Sequence, residues 1–378
     1  MLSSGHDRTP ADTDRSKSAP TRAVPVAMAR YTAAMNRPAS VAEPTAQRPA
    51  PTAQRTAPAG LLALLASGAE LSGSAVAAEL GITRAAVWKQ IEQLRAHGLP
   101  IRAEAGRGYR LDAPIELLDP ARIEAVISPE MRARVGAIDV HWQIDSTSSE
   151  LARRAIDSTV PRACLAEIQT EGRGRRGRAW QMPLAGGIAL SFLRRFDRGM
   201  AELAGLSLVA GMTVVRALER CGVERVALKW PNDIVADERK LGGILVELGG
   251  DALGPCHAII GIGLNVRVPD ANGATIDQPW TDLAALTGGV VPSRNVLAGR
   301  ILAELAGALD DFATSGFAPF ESEYARYDAL RDRRITVKNG SETFAATALG
   351  VTSSGALKVL HDGVEMQIDS GEVSVRGR

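Results

Sequence analysis

The densest chemistry in the chain lies between Gln169 and Trp180. The run Gly172-Arg173-Gly174-Arg175-Arg176-Gly177-Arg178 puts four arginines and three glycines into seven residues, directly after an apolar stretch that ends at Gln169. Glycines free a backbone to wrap an anion with its N–H groups. Arginines add planar forks that grip phosphate or carboxylate. Trp180 offers a stacking face for a purine or a cap for an apolar pocket. The run formally matches G-x-G-x-x-G, but a dinucleotide fold needs a helix to open there. Pro183 and Gly186-Gly187 follow instead, with no apolar helical face. The segment reads as an anion-binding loop, arginine-rich enough to repel itself and to order on its ligand.

Three further segments carry candidate chemistry. Lys229-Trp230-Pro231-Asn232-Asp233 is followed by Arg239-Lys240-Leu241-Gly242-Gly243. Lys240 opens an apolar strand whose two glycines let a ligand approach the backbone. A lysine beside a carboxylate–phosphate junction stabilises the charge that builds there in acyl-phosphate chemistry. The plainer alternative is a surface ion pair between Lys240 and Asp233. Gly261-Ile262-Gly263-Leu264-Asn265 is a glycine-spaced strand ending in an amide able to read a base edge. Asp145-Ser146-Thr147-Ser148-Ser149 is a hydroxyl cluster between strand and helix, where a helix N-cap is the simpler role.

The chain that positions these groups has 378 residues, 45% hydrophobic and 23% charged, which suits two or three domains. Lys+Arg is 44 against 43 Asp+Glu, which excludes a uniformly basic nucleic-acid binder but leaves room for a local basic patch. Cys164, Cys221 and Cys256 are scattered, which argues against a disulfide scaffold and for a reducing compartment. The histidines show no metal-ligand spacing. No apolar run is read as reaching the roughly 18 residues of a membrane span, and no secretory signal opens the chain. The expected location is the cytoplasm, with no membrane partner.

Residues 1–58 carry eight of the 20 prolines and almost no large apolar side chains, and read as a disordered Pro/Ala-rich tail. Residues 59–112 read as three short helices and a hairpin, a winged helix-turn-helix. Its third helix follows Thr83 as N-cap and runs to His97, burying Val87, Ile91 and Leu94. Arg84, Lys89 and Gln90 are its candidate DNA contacts, and Arg107 at the hairpin tip is placed to reach phosphate or the minor groove. Six Lys/Arg against two Glu between Arg84 and Arg110 fit that role. A helical unit for protein contacts is the alternative. Residues 113–138 read as a linker with one helix near Asp119–Ile127. Residues 139–330 alternate strands and helices as one α+β domain, with a polar loop over Pro269–Pro279. Residues 331–378 show short strands separated by glycine turns, the pattern of a small barrel.

In order and spacing, Gly172–Gly177 with Arg178 and Trp180, Lys229–Asp233, Arg239–Ile244 and Gly261–Asn265 together resemble the bifunctional biotin–protein ligases and biotin operon repressors of bacteria. Gly106-Arg107-Gly108-Tyr109 and Arg84-Ala85-Ala86-Val87 resemble that family's winged helix. The resemblance implies an α+β multidomain chain: an N-terminal winged helix-turn-helix, a central α/β biotin/lipoate-ligase-like catalytic domain and a C-terminal SH3-like β-barrel. It implies that biotin and MgATP give biotinyl-5′-adenylate and pyrophosphate. The biotinyl group then passes to a lysine of the biotin carboxyl carrier protein of acetyl-CoA carboxylase. Acyl adenylate formation needs anion clamps more than a nucleophilic side chain.

By the family pattern, Ser146, Thr147, Gln169, Arg173 and Lys240 bind biotin. Gly172, Arg173, Gly174, Arg175, Arg176, Trp180, Asp233 and Asn265 bind the nucleotide. Lys240 and Arg175 are the catalytic pair, and Asp233 lies near phosphate or Mg²⁺. The adenylate is also expected to act as corepressor and to favour a homodimer, which suits two half-sites of operator DNA. Two positions depart from the pattern: Ser148 replaces an Asn, and Ala179 stands where a Lys often precedes the Trp. A ligase whose winged helix does not repress, and a non-catalytic biotin-sensing regulator, are the alternative functions.

Overall fold

A computed structural model describes residues 59–104, 106–155, 160–269, 278–340 and 342–375. The tail over 1–58 lies outside the described residues, as does most of the polar loop expected over Pro269–Pro279.

The N-terminal unit follows its apolar spacing. Helices α1 (Ala59–Leu65), α2 (Gly73–Leu80) and α3 (Arg84–Ala96) pack through Leu61, Leu62, Leu65, Val76, Val87, Ile91 and Leu94. Ser72 and Thr83 cap α2 and α3 by accepting from Ala75 N and Ala86 N. Strands β1 (Ile101–Glu104) and β2 (Gly108–Leu111) form an antiparallel hairpin whose Ile101 and Leu111 close the same core. Two helices, α4 (Pro120–Glu124) and α5 (Pro129–Val135), follow where the sequence predicts one. Ile123, Ile127 and Val135 belong to the core of the larger unit that comes next.

That unit is built on a seven-stranded sheet. Its elements in chain order are β3 (Ala137–Ile144), α6 (Thr147–Ala155), β4 (Arg162–Gln169), β5 (Gly187–Phe196), α7 (Leu206–Glu219), β6 (Val226–Lys229), β7 (Asp233–Ala236), β8 (Arg239–Gly250) and β9 (Cys256–Asn265). The strand order is β3-β4-β5-β9-β8-β7-β6, antiparallel except for β3 and β4. One face carries Ile188, Leu190 and Phe192 of β5 with Ile260, Ile262 and Leu264 of β9. Helix α7 and the long helix Arg294–Ser315 pack on that face, and burial of this set supplies most of the hydrophobic stabilisation. The opposite face is covered at one end by α6, over Cys164, Leu193 and Ile259. Burial pushes the Cys164 thiol up to about 12, so it is no nucleophile at neutral pH.

The sequence reading takes Met200–Cys221 as a helix but finds no apolar run of membrane-spanning length, and the second point needs correction. Met200–Glu219 is long and apolar enough to cross a membrane by composition. Its main part is instead α7, the central covering helix of the sheet, with Leu208 to Val215 buried on the β-strands.

A buried ion pair ties the 116–118 segment to this unit. Arg294 Nη2 lies 2.9 Å from Glu167 Oε2, both side chains 4% exposed. The same guanidinium donates to Glu116 O and Gly187 O, and Glu167 Oε1 accepts from Leu118 N. Removing one partner leaves the other charge buried, so Arg294→Ala is expected to lose about 3–5 kcal/mol of unfolding free energy in a urea titration.

The C-terminal strands β10 (Arg334–Asn339), β11 (Glu342–Val351), β12 (Leu357–His361), β13 (Val364–Ile368) and β14 (Glu372–Val375) form one antiparallel sheet in the order β13-β12-β11-β10-β14. No ladder joins β13 to β14 among the described residues, so the closed barrel expected from the sequence is not found. Short, evenly spaced strands fix neighbour pairing but not whether the two edges meet.

Candidate functional site

The uncovered part of the sheet face is floored by glycine. Gly261, Gly263 and Asn265 alternate along β9 on one side of the pleat. Gly243 of β8 sits opposite Gly263, and Asp233 of β7 opposite Gly243. The indole of Trp180 lies directly on Gly263, where a Cβ would stand 2.4 Å from the ring. A cavity of about 710 Å³ rises from this floor.

At its inner end, α6 begins with the hydroxyl cluster. Thr147 donates to Gln169 Oε1 from both its backbone N (2.9 Å) and Oγ1 (3.1 Å). Ser191 of β5 contacts Thr147 Oγ1 at 2.8 Å and Ser148 Oγ at 2.9 Å. Ser146 is buried beside them and its Oγ accepts from Ser149 N, part of the expected N-cap role.

In the middle, Lys240 Nζ lies 2.6 Å from Asp233 Oδ1. This pair forms, but not as a surface bridge: the side chains are 18% and 20% exposed and both line the cavity. Lys240 runs over Gly243, whose missing side chain leaves room for it. Its backbone is clamped by Pro279 O and Thr281 N, and Asn265 Nδ2 donates to Thr281 O.

The arginine-rich segment forms the outer wall as a closed turn. Trp180 N donates to Gly172 O and Gly174 N to Arg178 O, with Arg176 and Gly177 at positive φ. Four arginines in one turn repel each other, and three anchors hold them. Arg175 is half-buried and donates to Asn232 Oδ1 at 3.0 Å. Burial and the neighbouring Arg176 lower its pKa from the usual arginine value. Arg173 pairs with Glu247 of β8 at 2.9 Å. Arg176 and Arg178 both reach Glu372 of β14, at 3.5 and 3.0 Å. The C-terminal sheet thus closes the site from outside, with Thr336, Lys338 and Ser374 also lining it.

A pocket with a polar inner end, a lysine–carboxylate centre and an arginine wall suits a small acid at one end and a nucleotide at the other. The sequence pattern of the biotin/lipoate A/B protein ligase family matches residues 142–265, and that of an HTH domain matches residues 60–110. The chain is 36% identical over 316 residues to the bifunctional ligase/repressor BirA of Salmonella typhimurium, covering 84% of this chain and 96% of that protein. It belongs to this ligase family. The BirA protein of Bacillus subtilis is 29% identical over 76% of this chain and 88% of its own length. The biotin protein ligase from Aquifex aeolicus in complex with biotin and ATP superposes with a TM-score of 0.54 and 28% identity, over 64% of this chain and 98% of that one.

Within this ligase, Ser146, Thr147, Gln169, Arg173, Gly174, Arg175, Trp180, Asp233, Lys240 and Asn265 all line the one cavity. Gly172 and Arg176 do not line it; they shape the turn and tie it to Glu372. Sequence reasoning missed Ser191 and Glu372, and gave Asn232 no role of its own within the segment Lys229–Asp233. A serine inside the apolar strand Ile188–Leu193 was a usable signal for the first. No local signal marks Glu372, which arrives from a different sheet.

The DNA-binding expectation needs one correction. Arg84 and Lys89 are exposed on α3, but Gln90 is 6% exposed. It lies three residues after Val87 and four before Leu94, on the buried stripe. The large side chain on the outer face is Trp88, 59% exposed beside Arg84 and Lys89. Arg107 is exposed at the hairpin tip but paired with Glu70 at 3.1 Å and Glu104 at 3.0 Å.

Proposed function

We propose that the chain condenses biotin with ATP to biotinyl-5′-adenylate and transfers the biotinyl group to a lysine of the biotin carboxyl carrier protein. The observation that carries this is the Lys240–Asp233 pair on a glycine floor, between the hydroxyl cluster and the arginine turn. A carboxylate oxygen of biotin attacks the α-phosphorus of ATP, and the bond to pyrophosphate breaks. Lys240 Nζ sits at that junction and offsets the negative charge gathered there. Arg175 and Arg173 hold phosphate oxygens, with Gly172 and Gly174 shaping the backbone and Arg176 the turn. Trp180 and Asn265 take the adenine, and Ser146, Thr147 and Gln169 the ureido end. The acceptor lysine then attacks the acyl carbon and AMP leaves. Asp233, which lines the cavity beside Lys240, would help to hold Mg²⁺, and the ion would offset phosphate charge. A C-terminal domain over 331–378, SH3-like in this reading, covers a catalytic domain over 139–330. The work takes place in the cytoplasm.

Incubating the purified chain with labelled biotin, MgATP and a carrier domain tests this. Incorporation at one lysine, dependent on ATP, is expected. Biotin binding without incorporation would favour the sensing regulator instead.

The winged helix over 59–112 is the repressor half of the reading. With adenylate bound, the protein forms a homodimer on operator DNA. The β8 segment Leu245–Gly250 has no strand on its β7 side among the described residues, an edge open to pairing with a second copy. The acidic partners of Arg107 favour the ligase-only alternative, because they compete with phosphate. Trp88 decides between the two. An exposed indole beside two cations suits thymine methyl and sugar contacts in the major groove. Trp88→Ala is expected to weaken promoter binding about tenfold in fluorescence anisotropy while leaving ligation intact. Unchanged affinity would remove α3 from the interface.

A further inference from the structure

Four side chains at the inner end of the cavity form a single hydrogen-bond chain whose direction is fixed by elimination. The Thr147 backbone N–H donates to a Gln169 side-chain atom at 2.9 Å. An amide N–H needs a lone pair, so that atom is the oxygen. Thr147 Oγ1 lies 3.1 Å from the same oxygen and gives it its single proton. Ser191 Oγ, 2.8 Å from Thr147 Oγ1, then has to donate to Thr147. Ser148 Oγ, 2.9 Å from Ser191 Oγ, has to donate to Ser191. The order Ser148, Ser191, Thr147, Gln169 uses every hydroxyl proton once. Ser191 is 0% exposed, so its two hydroxyl neighbours set its direction.

This polarity leaves Ser148 Oγ with lone pairs only. Gly261 leaves that oxygen uncovered, since a Cβ there would stand 3.0 Å from it. Gln169, its oxygen occupied, keeps the two Nε2 protons as donors. The inner end therefore presents an acceptor at Ser148 and a donor at Gln169. A cyclic urea is the complement, with N–H and C=O side by side.

We propose that Ser191 is a positioning residue that fixes this polarity, so that Ser148 accepts an N–H of a cyclic urea and selects it over a ring lacking that N–H. The proposal rests on the biotin reading and adds a specificity residue to it. Ser191→Ala frees the Ser148 proton, which lets the hydroxyl turn round and donate.

The test compares biotin with its cyclic carbamate analogue, in which one ureido N–H is replaced by oxygen. Both are assayed by incorporation into a carrier domain. The wild-type protein prefers biotin. In Ser191→Ala, KM for biotin rises about tenfold, and the preference over the carbamate falls by a similar factor. The kcat at saturating biotin and the KM for ATP hold, which a general loss of packing would not give. Ser148→Ala, on a helix rather than inside the sheet, removes the acceptor itself and reduces the same preference should Ser191→Ala fail to fold. Wild-type KM and preference in both variants, or a fall in kcat and ATP affinity alongside, would overturn the role of Ser191. A wild-type protein that incorporates neither compound would overturn the biotin reading on which the role rests.

Discussion

Lys240→Ala is expected to reduce adenylate formation by about 10³-fold, equivalent to ~4 kcal/mol of transition-state stabilisation. The ammonium lies in a partly buried groove over Gly243, where water screens it little and its charge acts strongly on a developing phosphorane. Its loss also leaves Asp233 without the only cation within bonding distance among the described residues, placing a bare carboxylate beside incoming phosphates. Both effects oppose the same step. Lys240→Arg is expected to restore little, because a planar fork does not fit the space that suits a compact ammonium. The check is single-turnover chromatography of the adenylate from biotin and MgATP. Promoter affinity of the variant protein without ligand should stay within about twofold, since α3 is remote from this pair in the chain and on a separate core. Normal adenylate yield would remove Lys240 from the reaction.

Arg175→Ala acts on a different quantity. Its Nη1 holds Asn232 Oδ1, while Asn232 Nδ2 holds Ile244 O and Asn232 O accepts from Ile244 N. Arg175 thus pins the arginine turn to the β7–β8 floor from inside, whereas Arg176 and Arg178 pair from outside with Glu372. Without the inner pin, the turn loses a phosphate contact and its route to closure together. The adenylate is expected to escape about 100-fold faster, a change of ~2.7 kcal/mol, with a smaller fall in its rate of formation. Dissociation of labelled adenylate, chased with unlabelled biotin, measures this. A wild-type residence time would show that the turn does not retain the intermediate.

Much of this site was legible before any coordinates, and the reasons are physical. Glycine and arginine have few uses at such density, so Gly172–Arg178 declared an anion site from composition alone. Lys240 followed by two glycines declared a close approach, and its partner Asp233 was nameable because a hairpin brings i and i+7 together. The arginine turn was expected to order on its ligand, and the backbone bonds and the Glu372 contact that shape it had no signal in the sequence. Glu372 was out of reach because its contact spans two sheets and nearly two hundred residues of chain. Gln90 was legible and misread: at about 100° per residue it falls about 40° from Leu94 and about 60° from Val87, on the flank of the buried stripe, whereas Trp88 lies about 100° from Val87 on the other side. Ser148, left without a role by its departure from the family pattern, gains one only when Ser191 is seen 2.9 Å away. Strand β7 was missed because four residues after Pro231 give no periodicity to read.

The most direct test of the central claim is exchange of labelled pyrophosphate into ATP by the wild-type chain. Adenylate formation is reversible on the enzyme, so the account expects exchange that requires biotin, requires Mg²⁺ and needs no carrier protein. Exchange that ignores biotin, or none at all from protein that binds both biotin and ATP, would contradict it.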